Sequence, residues 1–147
     1  MSSSEPSFIK AVIFGCAGPE LSDAERRFFA AAQPLGFILF QRNCDDPAQT
    51  RALIAGLRDC VGRADAPVLI DQEGGRVARL KPPHWRLPPA AARIGALAGD
   101  DPSAAREAAR INARLIADDL YDLGITINCA PVLDIPVPGA HDVIGER

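Results

Sequence analysis

Hydrophobic positions along the chain fall into short β-branched runs that alternate with longer segments of helical spacing. Ile9 to Phe14 (I-K-A-V-I-F) runs straight into Gly15 and reads as a short buried strand followed by a loop. Ser22 with Glu25 three residues on forms a capping-box signature, in which each side chain satisfies the other residue's backbone N–H. The helix it opens carries Ala24, Phe28, Ala31 and Ala32 on one stripe and stops at Pro34. Gly36 leads into a second strand, Phe37 to Phe40. Asp46, Pro47 and Gln49 repeat the start signal as cap, first helical residue and box partner, and Leu53, Ile54 and Leu57 follow at helical spacing. After Gly62 and Pro67 comes a third strand, Val68 to Ile70, and then a long loop. Asp101-Pro102-Ser103 opens a long helix with Ala104, Ala108, Ile111 and Leu115 on one side and Arg106, Arg110, Arg114 and Asp118 on exposed turns. Gly124 closes it, and Ile125 to Val132 forms a fourth strand that ends in Asp134.

The order is therefore β, α, β, α, β, loop, α, β. Short apolar strands alternating with capped helices pair in parallel through crossover connections, which makes the fold class α/β. An open doubly wound sheet and a (β/α)8 barrel both fit this alternation. In either, chemistry collects at the C-terminal ends of the strands. Here those ends are Gly15 to Gly18, Gln41 to Asn43, Asp71 to Arg76, and Asp134 onward.

Composition narrows the function classes. The chain has 147 residues, 48% hydrophobic and 24% charged, which excludes a disordered, collagenous or coiled-coil protein. It is also well short of the roughly 250 residues that a closed (β/α)8 barrel takes. Net charge is −3 and the longest basic run is Arg26-Arg27, so neither nucleic acid nor an anionic membrane is an expected partner. No stretch approaches the roughly 18 apolar residues that span a bilayer. Phe8 to Ala17 is apolar, but Lys10 interrupts it and acidic Glu5 precedes it, against a secretory signal. Cys16, Cys44, Cys60 and Cys129 show no C-x-x-C spacing and no His nearby in sequence, and read as free cytosolic thiols.

The sharpest candidate chemistry is Asp71-Gln72-Glu73-Gly74-Gly75-Arg76-Val77-Ala78-Arg79 at the end of the third strand. In extended chain Asp71 and Glu73 point to the same side. Two readings stay open on these residues alone. One is a glycosidase carboxylate pair, which needs carboxyls about 5 to 9 Å apart. The other is a loop ordered by ion pairs from Asp71 and Glu73 to Arg76 and Arg79. The glycines allow a sharp turn but match neither G-x-G-x-x-G nor a G-K-[ST] phosphate loop. Asp71, Glu73, His84, Asp134 and His141 are of metal-ligand type, yet neither histidine has a ligand-spaced partner, so no metal is expected. His84-Trp85 sits among Pro82, Pro83, Pro88 and Pro89 and reads as a packed lid over the strand ends. Asp134 serves either as an N-cap or as a supporting carboxylate for an arginine.

Five segments occur here in a single order: Ile38-Leu39-Phe40-Gln41-Arg42-Asn43, Asp71 to Val77, Arg86-Leu87-Pro88-Pro89-Ala90, Ala130-Pro131-Val132-Leu133-Asp134 and Ile144-Gly145-Glu146-Arg147. With Gly18 to Glu25 before them, they resemble the bacterial β-N-acetylhexosaminidases of glycoside hydrolase family 3. The resemblance implies the N-terminal half of a (β/α)8 TIM barrel with parallel strands. It implies removal of terminal β-linked N-acetylglucosamine from muropeptides in cytoplasmic cell-wall recycling, by a retaining double displacement with no metal or organic cofactor. It places Asp71, Arg79 and Arg147 at the sugar, with Glu73, Arg76 and Asp134 in support, so that Asp71 becomes a clamp rather than a nucleophile. An ionised carboxylate suits that task because it accepts charge-assisted bonds from two hydroxyls.

The same resemblance puts the nucleophilic Asp and the acid/base His farther along the family's chain, in motifs these 147 residues lack. The expectation is an incomplete catalytic barrel domain across 1–147, with no catalytic residue of its own and the rest of the barrel as the partner it needs. By itself it is expected to be inactive, its first and fourth strands unpaired and its inner face wet. Competing readings are a β-glucosidase or phosphorolytic member of the same family, a non-catalytic sugar-binding module, and a truncated product or gene model.

Overall fold

A computed structural model of the chain describes residues 8–135, 137–139, 143, 145 and 147. Four strands, β1 (Lys10–Phe14), β2 (Pro34–Leu39), β3 (Val68–Ile70) and β4 (Ile127–Asn128), form one sheet in the order β1-β2-β3-β4. Every pairing is parallel, with Phe14 opposite Phe37, Phe37 opposite Val68 and Leu69 opposite Ile127. A doubly wound sheet reverses its strand order at a switch point, whereas this sheet adds each strand beside the last, as a (β/α)8 barrel does. Helices α1 (Asp23–Ala32), α2 (Pro47–Val61), α3 (Ala91–Leu97) and α4 (Pro102–Leu123) fill the connections, with α1 against α2, α2 against α4 and α3 against α4.

The helix starts follow from local chemistry. Ser22 Oγ accepts from the Glu25 N–H while Glu25 accepts from the Ser22 N–H. Asp46 accepts from the Gln49 N–H, and Asp101 from the N–H groups of Ser103 and Ala104. Gln49 does not close the second box on its cap; its Oε1 accepts from the Asp45 N–H and its amide donates to Pro19 and Asn43 carbonyls. α3 lies within the segment read as a long loop. Its N-cap, Ala90, makes no side-chain cap bond, so the usual start signal is missing.

Side-chain alternation divides the central strands between two faces. Phe37, Leu39, Val68 and Ile70 are buried against Phe29, Ile54, Leu57, Ile116, Leu120 and Leu123 of the helices. Ile38 and Leu69 point the other way and are half-buried, and Ile127 beside them is exposed. Several expectations shift here. α1 buries Phe29, which meets Phe37 at 5.2 Å between ring centroids, and leaves Phe28 53% exposed. α4 buries Ala105, Ile116, Leu120 and Leu123 while Ile111 and Leu115 stay exposed, because two apolar arcs exist on that helix and the sheet takes the second. β1 is an edge strand with no fully buried residue, and β2 starts at Pro34, where the missing N–H removes no needed ladder bond. β4 is far shorter than the apolar run, since its partner β3 has only three residues and Pro131 cannot donate. Among the described residues no helix is long and apolar enough to cross a membrane.

Candidate functional site

The ends of β1 and β2 are clasped by two side chains from the Gln41–Asn43 turn. Asn43, with no exposed surface, donates to the carbonyls of Cys16 and Gly18 and accepts from the Phe40 N–H. Arg42 donates Nε and Nη2 to the same Cys16 carbonyl, its guanidinium 4.8 Å above the Phe40 ring. The Arg79 guanidinium lies 5.9 Å from that ring. These contacts hold the floor of the strand-end surface in a fixed shape.

The Asp71–Arg79 segment rises from β3 beside them. Arg79 Nη2 lies 2.7 Å from Asp71 Oδ2, and both side chains remain about a quarter exposed. Glu73 takes Arg147 with both oxygens, at 2.6 and 2.9 Å. The expected ion pairing is therefore met by Arg79 at Asp71, whereas Glu73 takes Arg147 rather than Arg76. Arg76 is exposed and donates to the Val143 carbonyl. The Glu73 carboxylate raises the affinity of the Arg147 guanidinium for its proton, with Asp134 and Asp71 adding smaller electrostatic contributions. Asp134 is itself exposed, and no described helix begins at it.

Two glycines decide how this loop sits. Gly74 has φ +114°, and a Cβ there would lie 2.2 Å from the Pro89 carbonyl oxygen; at Gly75, φ +56°, it would lie 2.7 Å from Ala90 Cβ. The Gly75 N–H donates to the Pro88 carbonyl at 2.8 Å. The Asp71–Val77 and Arg86–Ala90 segments, separate in sequence, are thus one packed unit. Trp85 packs on the hydrophobic core, and His84 meets it edge-on at 5.9 Å while remaining exposed.

Two residues of this unit carried no sequence signal beyond being amides at strand ends. Gln72, 3% exposed, accepts from the N–H groups of Arg79 and Leu80 and donates to the Leu80 carbonyl. Asn128 on β4 accepts from the Gln72 N–H and donates to its carbonyl, both at 2.9 Å.

The four cysteines are free. Burial pushes the Cys16 thiol up to about 11 and the Cys44 thiol up to about 12, which removes both as nucleophiles. Partial desolvation, then the Asp71 carboxylate nearby, raise Cys129 as well. Among the described residues no group of three His, Cys, Asp or Glu side chains is arranged to hold a metal ion. His141 lies outside the described residues, as do Ile144 and Glu146 of the terminal motif.

A parallel sheet that adds each strand beside the last, with helices between its strands, is the arrangement of part of a (β/α)8 barrel. The chain belongs to glycosyl hydrolase family 3: residues 10–147 match the glycosyl hydrolase family 3 N terminal domain. It is 42% identical over 133 residues to a beta-hexosaminidase of Thiobacillus denitrificans, covering 89% of this chain and 36% of that protein. It is 40% identical over 135 residues to a beta-hexosaminidase of Methylococcus capsulatus, covering 92% of this chain and 38% of that one. The crystal structure of NagZ from Neisseria gonorrhoeae in complex with N-trifluoroacetyl-D-glucosamine superimposes with a TM-score of 0.86 at 31% identity, over 94% of this chain and 41% of that chain. The chain thus spans about two-fifths of the length of the relatives it matches.

Proposed function

We propose that this chain supplies the carbohydrate-holding side of a β-N-acetylhexosaminidase site that releases terminal N-acetylglucosamine by a retaining mechanism. Asp71 is the hydroxyl clamp, with Arg79 and Arg147 lining the sugar and Glu73 holding Arg147 in place. Arg76 and Asp134 support the rim. The observation that carries the reading is the pairing of Asp71 with Arg79, 2.7 Å apart and still partly open to solvent, at the strand end of a fold shared with an N-trifluoroacetyl-D-glucosamine complex. An Asp already paired with Arg is held in one orientation, so a hydroxyl arriving there finds a fixed acceptor.

The test joins residues 1–147 to the remaining length of the Thiobacillus denitrificans relative and measures release of a chromogenic aglycone from its N-acetylglucosaminide. We expect turnover by the joined enzyme and none above background by the 147-residue chain alone. Asp71→Ala is expected to lower kcat/KM of the joined enzyme by two orders of magnitude or more, in the range set by losing a charge-assisted substrate contact (~3 kcal/mol). Near-normal kcat/KM in that variant overturns Asp71 as the clamp. Turnover of a glucoside in preference to the N-acetylglucosaminide moves the chain to the β-glucosidase branch.

A further inference from the structure

The Asp71–Arg79 pair spans a loop of eight positions, and what fixes its geometry is a residue that faces away from it. Burial alternates along the strand end, with Asp71 and Glu73 half-buried and Gln72 buried between them. Extended chain sends alternate side chains to opposite faces, so Gln72 points into the protein while its neighbours face the site. Both functional groups of its amide are used: Oε1 accepts from the Arg79 N–H at 2.8 Å and the Leu80 N–H at 3.0 Å, and Nε2 donates to the Leu80 carbonyl at 3.0 Å. Its backbone is held in turn from β4 by the Asn128 amide. A single side chain thus ties the residue between the two carboxylates to the backbone of the arginine that pairs with one of them.

We propose that Gln72 is the positioning residue of the carbohydrate clamp, setting the separation of Asp71 and Arg79 through the Arg79 and Leu80 backbone without touching the sugar. This rests on the sugar-clamp reading of Asp71. Hydrogen bonds that aim a binding group are worth more than their own stability, since a displacement near 1 Å at a binding constellation costs on the order of a hundredfold. An apolar side chain of the same length leaves the Arg79 and Leu80 N–H groups and the Leu80 carbonyl without these partners and frees the loop to shift.

The experiment titrates N-acetylglucosamine into the 15N-labelled joined enzyme, following amide shifts, for the unmodified form, Asp71→Ala, Gln72→Met and Gln72→Glu. Gln72→Met is expected to bind about tenfold or more weakly, with faster hydrogen exchange at the Arg79 and Leu80 amides. At pH about 5, burial keeps the carboxyl of Gln72→Glu protonated, so its C=O accepts and its O–H donates as the amide did. That variant is then expected within about threefold of the unmodified form, and this rescue distinguishes hydrogen bonding from mere packing. Wild-type affinity in Gln72→Met, or a Gln72→Glu that stays weak at that pH, overturns the proposal. If Gln72→Met does not fold, the Gln72→Glu comparison decides by itself. A joined enzyme that takes up no sugar, or whose Asp71→Ala form binds it as well, overturns the clamp reading and this inference with it, whereas binding that Gln72→Met leaves untouched overturns the positioning alone.

Discussion

Replacing Gly74 by Ala tests whether the loop carrying Glu73 is held in place by its contact with the Pro88–Ala90 segment. The backbone at Gly74 has φ +114°, a conformation that costs an L side chain about 1 to 3 kcal/mol. The new Cβ would meet the Pro89 carbonyl oxygen at 2.2 Å, about an ångström inside van der Waals contact, with a further Pro88 oxygen at 3.1 Å. A backbone carbonyl cannot swing aside as a side-chain tip can, so one segment must move, at about 1 to 3 kcal/mol. The expected loss is about 2 to 6 kcal/mol, a large part of a typical domain's 5 to 15 kcal/mol. Two controls separate the contributions. Gly62 also has positive φ (+63°) but open space around its Cβ, so Gly62→Ala bears the conformational cost alone, about 1 kcal/mol. Gly95 lies in α3 with nothing within 4 Å, and Gly95→Ala is expected to gain about 0.5 to 1 kcal/mol. The assay is equilibrium urea unfolding followed by the fluorescence of Trp85, the single tryptophan, which packs on the core. Should Gly74→Ala and Gly62→Ala unfold at the same midpoint, the close approach to Pro89 does not constrain the loop and the reasoning is refuted.

Further outcomes concern the core, the first helix and the thiols. Phe29→Ala is expected to cost about 3 to 5 kcal/mol and Phe28→Ala about 1 kcal/mol or less, because only the former is buried; equal losses in urea unfolding would restore the stripe read from the sequence. Glu25 accepts N–H bonds from Ala17 and Ser22, which hold its carboxyl below the ordinary range. Folded Glu25 therefore keeps its charge where the unfolded chain takes up a proton, so its stabilisation is present above pH about 4.5 and is lost as pH falls through the folded value. Unfolding measured between pH about 5 and 3 should show a shallower decline for Glu25→Gln than for the unmodified chain, and parallel curves would contradict the assignment. With a disulfide reagent at pH about 8, exposed Cys129 and half-buried Cys60 should react before Cys16 and Cys44, which stay silent until denaturant is added. A fast phase that persists once Cys60 and Cys129 are both replaced by Ser goes against this order.

Short-range chemistry was readable along the chain. The caps at Ser22, Asp46 and Asp101 form because each partner lies two or three residues away, and the parallel α/β class follows from strands alternating with helices. The choice between two architectures needed the strand order, which pairing decides and composition does not. The stripes on α1 and α4 fell on neighbouring apolar arcs, since helical periodicity leaves more than one arc to bury and the sheet selects between Phe28 and Phe29 or between Leu115 and Ile116. In the candidate site, Asp71 and Arg79 are eight positions apart and visible as neighbours. Glu73 meets Arg147 across 74 positions and Gln72 meets Asn128 across 56, contacts that exist only once the sheet has formed. Asn43 was within a motif without an evident task, and its buried amide proves to be the clasp between β1 and β2.

Strands that stand in the sheet in the order they occupy in the chain have a consequence for synthesis. Lys10 meets Pro34, Phe37 meets Val68, and Leu69 meets Ile127, so each new strand docks on the one delivered just before it. During translation from the N-terminus, the Asn43 clasp can close as soon as β2 clears the ribosome, and the Gln72–Asn128 contact closes only when α4 has followed. Asp71 and Arg79 thus leave the ribosome well before β4, whose Asn128 then fixes the backbone of the Gln72 that ties the two together.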